Sequence, residues 1–210
     1  MAGFHLEQFE GDPTGRIIPD LERLSEIVSG LRALNQQIVL TQGTFDLLHI
    51  GHVLYLAEAK RLGDVLIVGL DSDEKVRARK GEGRPIVPED ERTAMLCYQR
   101  PVDLVIVKQQ NFQHWELIRR IQPDVLLATE ETYTDQELIE LRQLCSRVVV
   151  LEPRSSTSTS AKIRRAQIGM KDRLSSALAD ALQSVAPDIV TDVMNQVLGI
   201  TDGVHDGESK

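Results

Sequence analysis

The chain has 210 residues, of which 41% are hydrophobic and 4% aromatic, and its formal net charge at neutral pH is −8. This composition predicts a soluble globular protein rather than a disordered one. The acidic balance disfavours binding to nucleic acid or to a membrane surface, and the scarcity of aromatic residues argues against a base-stacking platform. A phosphate-bearing ligand would therefore have to be held by local positive charge.

The first 16 residues contain closely spaced glycine and proline and predict an N-terminal tail or loop, residues 1–16. This segment lacks the basic start and the apolar stretch of a signal peptide. No apolar run of the sequence approaches the roughly 18 residues that a membrane-spanning helix needs. Cys97 and Cys145 lie in apolar surroundings and predict reduced core residues. We therefore expect a cytoplasmic protein.

The rest of the chain alternates between segments of helical spacing and continuous apolar runs. A first helix is expected from Ile18 to Leu34, with its start marked by Pro19-Asp20. Strands and helices then alternate in this order: strand Ile38–Thr41, helix His52–Leu62, strand Val65–Leu70, helix Glu89–Gln99, strand Val102–Val107, helix Phe112–Ile121, strand Val125–Ala128, helix Asp135–Leu144, strand Val148–Leu151 and a helix from Ser160 to about Gln167. This alternation predicts an α/β fold, a Rossmann-like parallel sheet of about five strands with helices on both faces.

The main domain is expected to span residues 17–168. Beyond it, Leu174, Leu178 and Leu182 share one helical stripe, which predicts a C-terminal helical extension over residues 169–200. The simplest roles for such stripes are packing on the core or pairing in a homodimer. The polar residues 201–210 predict a mobile tail.

The segment Gly43–His52 carries the strongest chemical signal of the chain. It joins a predicted strand to a predicted helix, and it contains His49-Ile50-Gly51-His52. The backbone N–H groups and the positive dipole end of a helix N-terminus favour a bound phosphate, and two histidines add donors there. A single histidine at such a place is most often a cap or a packing residue. Two histidines on one helical turn with a glycine between them favour a triphosphate site instead.

Two further polar clusters follow predicted strands. The segment Asp71–Pro85 carries five cations and two glycines, and we assign it no helix. It is either a solvated charged loop or a clamp for phosphates. The segment Arg154–Arg165 is rich in serine and threonine and precedes a predicted helix. It is either a capped linker or a second phosphate-binding loop. Because ligands of parallel α/β sheets bind beyond the carboxyl ends of the strands, all these clusters are expected at one edge of the sheet.

Together, these motifs resemble those of the cytidylyltransferase-like nucleotidyltransferases. The resemblance rests on Gly43–His52 and on Ser158-Thr159-Ser160-Ala161-Lys162-Ile163, and it covers about residues 20 to 168. Between these motifs, Lys80–Ile86 with Glu91-Arg92 is similar to the sugar-phosphate branch of the family. Heptose-1-phosphate adenylyltransferase domains look most similar, and glycerol-3-phosphate cytidylyltransferases nearly as similar.

This resemblance implies that the chain transfers a nucleoside monophosphate from a nucleoside triphosphate to the phosphate of a small metabolite and releases pyrophosphate. ATP is favoured over CTP, and a sugar phosphate is the favoured acceptor. Mg²⁺ is expected to bind with the triphosphate, and no metal ligands of the chain are assigned. The expected catalytic residues are His49, His52 and Lys80. The expected nucleotide-binding residues are Gly43, Thr44, Phe45, Gly51, Arg154, Ser158, Thr159 and Ser160. The expected acceptor-binding residues are Asp46, Asp71, Arg84, Glu130 and Tyr133.

The chain departs from the resembling branch after the fourth predicted strand. Glu130, Glu131, Thr132 and Tyr133 stand where the sugar-phosphate enzymes have a glycine pair followed by Asp and Tyr. The two carboxylates motivate the hypothesis of a cationic acceptor such as a phosphoamine. The gap between Arg154 and Ser158 is also one residue shorter than in the glycerol-phosphate enzymes.

Two other functions stay open. One is a CTP-dependent cytidylyltransferase acting on glycerol phosphate or a phosphoamine, and the other is a non-catalytic nucleotide-binding subunit. Class I aminoacyl-tRNA synthetases share the pattern of His49–His52. They are disfavoured because the second loop here is rich in serine rather than lysine and the chain lacks a basic surface for tRNA.

Overall fold

A computed structural model describes residues 13–129 and 132–151 and, in a further helical segment, residues 170–171, 173–178 and 180–181. The chain divides into two compact units, Met1–Thr159 and Ser160–Lys210. The expected domain boundary at residue 168 stays a prediction. The tail 201–210 and most of the 1–16 and 169–200 segments lie outside the described residues.

The described part of the first unit is an alternating α/β structure. A 3-10 turn at Pro13–Arg16 precedes the first strand. The strands are β1 (Ile17–Ile18), β2 (Ile38–Gly43), β3 (Val65–Asp71), β4 (Leu104–Lys108), β5 (Val125–Thr129) and β6 (Arg147–Leu151). The helices are α1 (Leu21–Ala33), α2 (Ile50–Lys60), α3 (Asp73–Lys80), α4 (Glu89–Cys97), α5 (Glu116–Ile121) and α6 (Asp135–Leu144).

All six strands form one parallel sheet in the order β1-β4-β3-β2-β5-β6. The chain proceeds outward from β2 through β3 to β4, and then returns to place β5 on the other side of β2. The direction of winding therefore reverses between β2 and β5. In open α/β sheets, ligands bind beyond the carboxyl ends of the strands at such a reversal.

Apolar side chains cover both faces of this sheet. Along β2, Leu40 contributes to a core shared with α1, α5 and α6, whereas Val39 contributes to a core shared with α2 and α4. Successive strand residues point to opposite faces, so a continuous apolar run is expected when both faces are buried. Leu40 and Val39 are fully buried, and full burial of such a side chain contributes roughly 1.5–3 kcal/mol. The predicted α/β sheet with helices on both faces is confirmed.

The structure adds one strand to the five expected. Ile17 and Ile18 pair in parallel with Val105 and Ile106 at the edge of the sheet. Arg16 stabilises this edge because its Nη1 donates to the carbonyl oxygens of Cys97 and Val102, both at 3.0 Å. Two residues are too short a run for an alternation pattern, so the strand was missed.

The charged segment after β3 contains a helix where none was assigned. Ser72 caps α3, because its Oγ accepts from the N–H of Lys75 at 3.2 Å. Acidic residues occupy the first turn and basic residues the last, which complements the helix dipole. The helix ends at Gly81, whose φ of +92° lies in the left-handed region that glycine tolerates. Four of the five cations of this segment therefore lie on a helix, namely Lys75, Arg77, Arg79 and Lys80.

Three predicted bounds were also wrong. The helix expected from Ile18 begins at Leu21, because Ile18 belongs to β1 and the Asp20 side chain caps the helix by accepting from the N–H of Arg23. The helix expected from Phe112 starts only at Glu116, because Trp115 has a left-handed φ of 60° and the Glu116 carboxylate accepts from the N–H of Gln113. The strand expected from Val102 starts at Leu104. The Asp103 carboxylate accepts from the N–H of Leu66 at 2.7 Å, which holds this residue at the strand entrance.

The two cysteines, Cys97 and Cys145, are buried and free, as predicted. No helix among the described residues is long and apolar enough to span a membrane.

Candidate active site

The junction between β2 and α2 lies at the carboxyl end of the sheet, beside the reversal point. His49 is the N-cap of α2, and its Nδ1 accepts a hydrogen bond from the N–H of Gly51 at 3.1 Å. An imidazole nitrogen that accepts a hydrogen bond carries no proton, so the neutral ring of His49 is protonated at Nε2. The helix cap thus orients the ring and keeps Nε2–H as a donor at the N-terminus of an 11-residue helix.

The second histidine stacks on the first. The ring centroids of His49 and His52 are 4.0 Å apart with an interplanar angle of 24°. The ring of Phe45 packs edge-on against His52 at 5.4 Å. A Cβ atom at Gly43 would lie 3.1 Å from Cε2 of Phe45, so the glycine leaves room for this ring. Gly43 and Phe45 therefore support the histidine pair, and their expected contact with the nucleotide stays a prediction.

Thr44 joins the histidine segment to a charged cluster on the neighbouring strands. Its Oγ1 accepts from Arg79 Nη2 at 2.8 Å and donates to Asp71 Oδ2 at 3.4 Å. Asp71 ends β3 and is 1% exposed. Its carboxylate is 2.8 Å from Arg79 Nη2 and 3.2 Å from Lys108 Nζ. Burial alone would raise the pKa of Asp71, but the charges of Lys108 and Arg79 hold it below its ordinary value.

Lys80 is the last residue of α3 and lies in a positive field. Loss of hydration lowers its pKa, and repulsion by Arg79 and Arg84 lowers it further. The carboxylates of Asp71 and Asp46 act in the opposite direction. Three cations facing two carboxylates leave a local excess of positive charge, which favours an anionic ligand.

Asp46 fastens the loop between α3 and α4. It is 2% exposed, and its carboxylate accepts from the N–H groups of Ile86 and Val87 at 3.0 to 3.2 Å. Its Oδ2 also lies 3.3 Å from Nε of Arg84. The carboxylate therefore holds the loop that carries Arg84 against the histidine segment. Direct contact of Asp46 or Arg84 with the acceptor stays a prediction.

A buried guanidinium connects the two strand ends with this loop. Arg92 on α4 is 1% exposed. Its Nη1 donates to the carbonyl oxygens of Thr44 and Asp71 at 2.7 and 2.9 Å, and its Nε donates to that of Val87 at 2.9 Å. Its Nη2 pairs with Asp73 at 2.6 Å. A single side chain therefore fixes the carboxyl ends of β2 and β3 relative to each other.

Tyr133 lies on the other side of the reversal point, after β5. Its hydroxyl accepts a hydrogen bond from Gln42 Nε2 at 3.2 Å, and its ring packs edge-on against Trp115 at 5.4 Å. Burial raises the pKa of Tyr133 above its ordinary range, so the hydroxyl stays protonated. The structure thus brings Tyr133 next to β2, as expected for a residue of the same site.

Comparison with known proteins identifies the family. A family model described as "Cytidylyltransferase-like" matches residues 40–174. The chain belongs to the cytidylyltransferase-like family. The bifunctional protein HldE of a Nitratiruptor species is 37% identical over 164 residues, which are 76% of this chain and 35% of that protein. HldE of Trichlorobacter lovleyi is 40% identical over 144 residues, 67% of this chain and 28% of that protein.

The chain spans about a third of the length of these curated relatives. Among solved structures, a lipopolysaccharide core biosynthesis protein from Thermoplasma volcanium is 27% identical with a TM-score of 0.48, covering 58% of this chain and 99% of that one. The match to the family model confirms the predicted family.

The serine-rich segment Arg154–Arg165 of this cytidylyltransferase-like chain lies outside the described residues. This applies to Arg154, Ser158, Thr159 and Ser160, and also to Glu130. The structure brings together the remaining expected site residues at the carboxyl edge of β2, β3 and β5: Gly43, Thr44, Phe45, Asp46, His49, Gly51, His52, Asp71, Lys80, Arg84 and Tyr133.

Sequence reasoning did not single out Lys108 and Arg79, and it noted Arg92 only as part of a resemblance. Lys108 follows the apolar run of β4 at the carboxyl end of the strand, and a lysine at that position could have been recognised as a candidate site residue. The contacts of Arg92 reach residues 48 and 21 positions away, which no local pattern reveals.

Proposed function

We propose that this domain is a nucleotidyltransferase that moves a nucleoside monophosphate, from ATP in preference to CTP, onto the phosphate of a small metabolite of the sugar-phosphate class. One observation carries the proposal. His49, oriented by a helix cap, and His52, stacked on it, lie at the N-terminus of α2 and beside the reversal point of the sheet. Membership of the cytidylyltransferase-like family and 37–40% identity to part of the HldE proteins support it.

In the proposed reaction, an oxygen of the acceptor phosphate attacks the α-phosphorus of the triphosphate. The bond between the α-phosphorus and the oxygen bridging to the β-phosphate breaks, and pyrophosphate leaves with that electron pair. His49 Nε2–H and the His52 ring would donate to the α-phosphate oxygens as their charge grows. No covalent intermediate on the chain is needed, so the contribution of the protein is positioning and charge stabilisation.

The cationic group Lys80, Arg79 and Arg84 would hold the acceptor phosphate or the α-phosphate. The contacts of Asp46 with Arg84 and with the N–H of Val87 support this role, because they hold the loop between α3 and α4 beside the histidine segment. The preference for ATP rests on the similarity of Lys80–Ile86 to the adenylyl branch. A CTP-dependent reaction is the competing outcome.

Mg²⁺ would enter with the triphosphate and neutralise its charge. The described residues contain no group of three His, Cys, Asp or Glu side chains that could hold a metal ion. Asp71, the buried carboxylate that Thr44 contacts, is paired with Arg79 and Lys108. We therefore assign the ion phosphate and water ligands rather than a cage of protein side chains.

Beyond its substrates, one partner is proposed for the chain, namely a second copy of itself. The described helical residues of the second unit expose Met170, Leu174 and Leu178 at intervals of four residues. This stripe supports pairing with a second copy of the chain, which sedimentation at several concentrations would test. A nucleoside triphosphate substrate supports a cytoplasmic location.

The experiment is pyrophosphate release from ATP and from CTP, each with Mg²⁺ and one acceptor at a time: heptose 1-phosphate, glycerol 3-phosphate, phosphocholine or phosphoethanolamine. The double variant His49→Ala/His52→Ala is the blank. Release with ATP and a sugar phosphate, lost in the blank, is the expected result. Release with CTP or a phosphoamine would select the cytidylyltransferase alternative. Nucleotide binding without release from any pair would select the non-catalytic subunit.

A further inference from the structure

A row of polar side chains crosses the carboxyl end of the sheet on the face covered by α1, α5 and α6. It runs from Lys108 on β4 through Asp71 on β3 to Gln42 on β2 and Tyr133 after β5. Lys108 and Asp71 are direct register partners, and Lys108 Nζ lies 3.2 Å from Asp71 Oδ1. Gln42 Nε2 donates to the Tyr133 hydroxyl at 3.2 Å. The row therefore reaches from β4 to the β2–β5 reversal point.

The absence of a side chain at Gly69 makes this row possible. A Cβ atom there would lie 3.0 Å from Cδ of Lys108 and 3.1 Å from Cγ of Gln42. It would also lie 2.6 Å from Cδ2 of Leu117, which is closer than real Cβ contacts. The stem of Lys108 thus lies across β3 towards β2, so its ammonium group is directed into the site and away from the edge of the sheet.

The charges along the row do not balance. The Lys108 side chain is 16% exposed, and Asp71 is its one ion-pair partner among the residues that the structure describes. Asp71 is shared with Arg79 at 2.8 Å, so two cations face one carboxylate. Burial lowers the pKa of Lys108, and although Asp71 raises it, the positive charges of Lys75 and Arg79 lower it further. An ammonium group has three N–H donors, so Lys108 can hold a second anion without releasing Asp71.

We propose that Lys108 binds the phosphate of the acceptor and so helps to determine which acceptor is used, with the Gln42 amide and the Tyr133 hydroxyl binding polar groups of the acceptor body. The proposal rests on the proposed function and extends its acceptor site beyond the loop of Lys80 and Arg84. A bound phosphate at Lys108 would balance the excess charge around Asp71. It would also lie beside Thr44, which contacts the same Arg79 and Asp71.

The test compares Lys108→Met, Lys108→Arg and Lys60→Met with the parent chain. Lys60 is a matched control, because it forms a partly exposed ion pair with Asp103 at the opposite end of β4. Two quantities are measured for each protein: the affinity for heptose 1-phosphate by calorimetry without nucleotide, and the KM values for heptose 1-phosphate and ATP. Loss of a charge-assisted hydrogen bond is expected to weaken acceptor binding and raise the acceptor KM roughly tenfold or more.

The expected result is that Lys108→Met weakens acceptor binding with the ATP KM unchanged, that Lys108→Arg restores most of it, and that Lys60→Met does neither. Equal affinity of the parent and Lys108→Met, including no binding by either, would overturn the proposal. An equal rise of both KM values would also overturn it, because this is the effect of a merely structural lysine. Failure of the proposed function has a different signature, namely reduced acceptor binding in Lys108→Met without pyrophosphate release by the parent.

Discussion

The two halves of the candidate site are built in different ways. The histidine half is contiguous in sequence, since one strand end, one turn and one helix cap place His49 and His52. The charged half is assembled across the fold, because Arg92 reaches back to the ends of two strands and Lys108 reaches across β3. Changes in the first half should therefore affect chemistry more than stability, and changes in the second half should affect both.

The largest expected effect is on stability and comes from the charged half. Arg92→Met removes a buried guanidinium and leaves the carbonyl oxygens of Thr44, Asp71 and Val87 without their donor. We expect a loss of about 3–5 kcal/mol in the free energy of unfolding, measured by urea denaturation. Arg23→Met is the control, because the Arg23–Glu26 pair is exposed on α1 and is worth less than about 1 kcal/mol. Similar losses in both variants would contradict the account of Arg92.

The histidine half should show the opposite behaviour. His49→Ala and His52→Ala are each expected to lower kcat by about 10²–10³, the usual loss for one donor to a developing charge. Their unfolding free energies should fall by no more than about 1–2 kcal/mol, the value of a helix cap and a ring contact. His114→Ala serves as the control, since the ring of His114 packs against Trp115 on the segment before α5 and not on the segment between β2 and α2. A kcat close to that of the parent in both variants would refute the assignment of the pair.

A smaller effect concerns the link between the halves. Asp46→Ala removes the acceptor for the N–H groups of Ile86 and Val87 and the partner of Arg84. Hydrogen exchange of these two amides should accelerate by about 10- to 100-fold, corresponding to the roughly 1–3 kcal/mol cost of unpaired donors. Exchange in β2 should stay as in the parent. Asp90→Ala, which removes the acceptor of the adjacent Glu91 N–H in the first turn of α4, should leave both regions unchanged.

The smallest effect is a pH dependence. The pKa of Asp71 is below its ordinary value of 3.8 in the folded protein. Its ionised form therefore stabilises the fold fully above pH 3.8, and this contribution is lost as the pH falls through the folded-state pKa. The difference in unfolding free energy between the parent and Asp71→Asn should be constant near neutral pH and should shrink at acid pH. A difference that grows as the pH falls would contradict the sign of the pKa shift.

The difference between local and long-range contacts also determines which features of the fold could be predicted from the sequence. The strands of the interior, such as β2 and β3, are recognisable because burial on both faces requires unbroken apolar runs. The two-residue strand β1 has no such run. Helix α3 was missed because its sequence is dominated by charged residues, although Ser72 caps its start and Gly81 follows its end. The caps of α3 were readable in the sequence, whereas the pairing of Ile17 with Val105 depends on a contact between distant parts of the chain.

The same distinction applies within the site. Gly43–His52 was predictable, because a strand, a turn and a helix cap are local structures. The partners of Thr44 and Asp71 were not, because Arg79, Arg92 and Lys108 come from three other elements. The sequence placed Asp46 and Arg84 among the acceptor contacts. Those acceptor contacts stay predictions, and in the structure the two side chains contact each other, which links the loop to the histidine segment.

The most direct test of the central claim is the identity of the product. The parent chain, ATP, Mg²⁺ and heptose 1-phosphate are followed by ³¹P nuclear magnetic resonance, beside the variant His49→Ala/His52→Ala. We expect two coupled resonances of a new phosphoanhydride together with pyrophosphate, and neither in the variant at the same time point. ADP with inorganic phosphate, or equal product in both samples, would contradict the claim that the histidine pair transfers a nucleoside monophosphate.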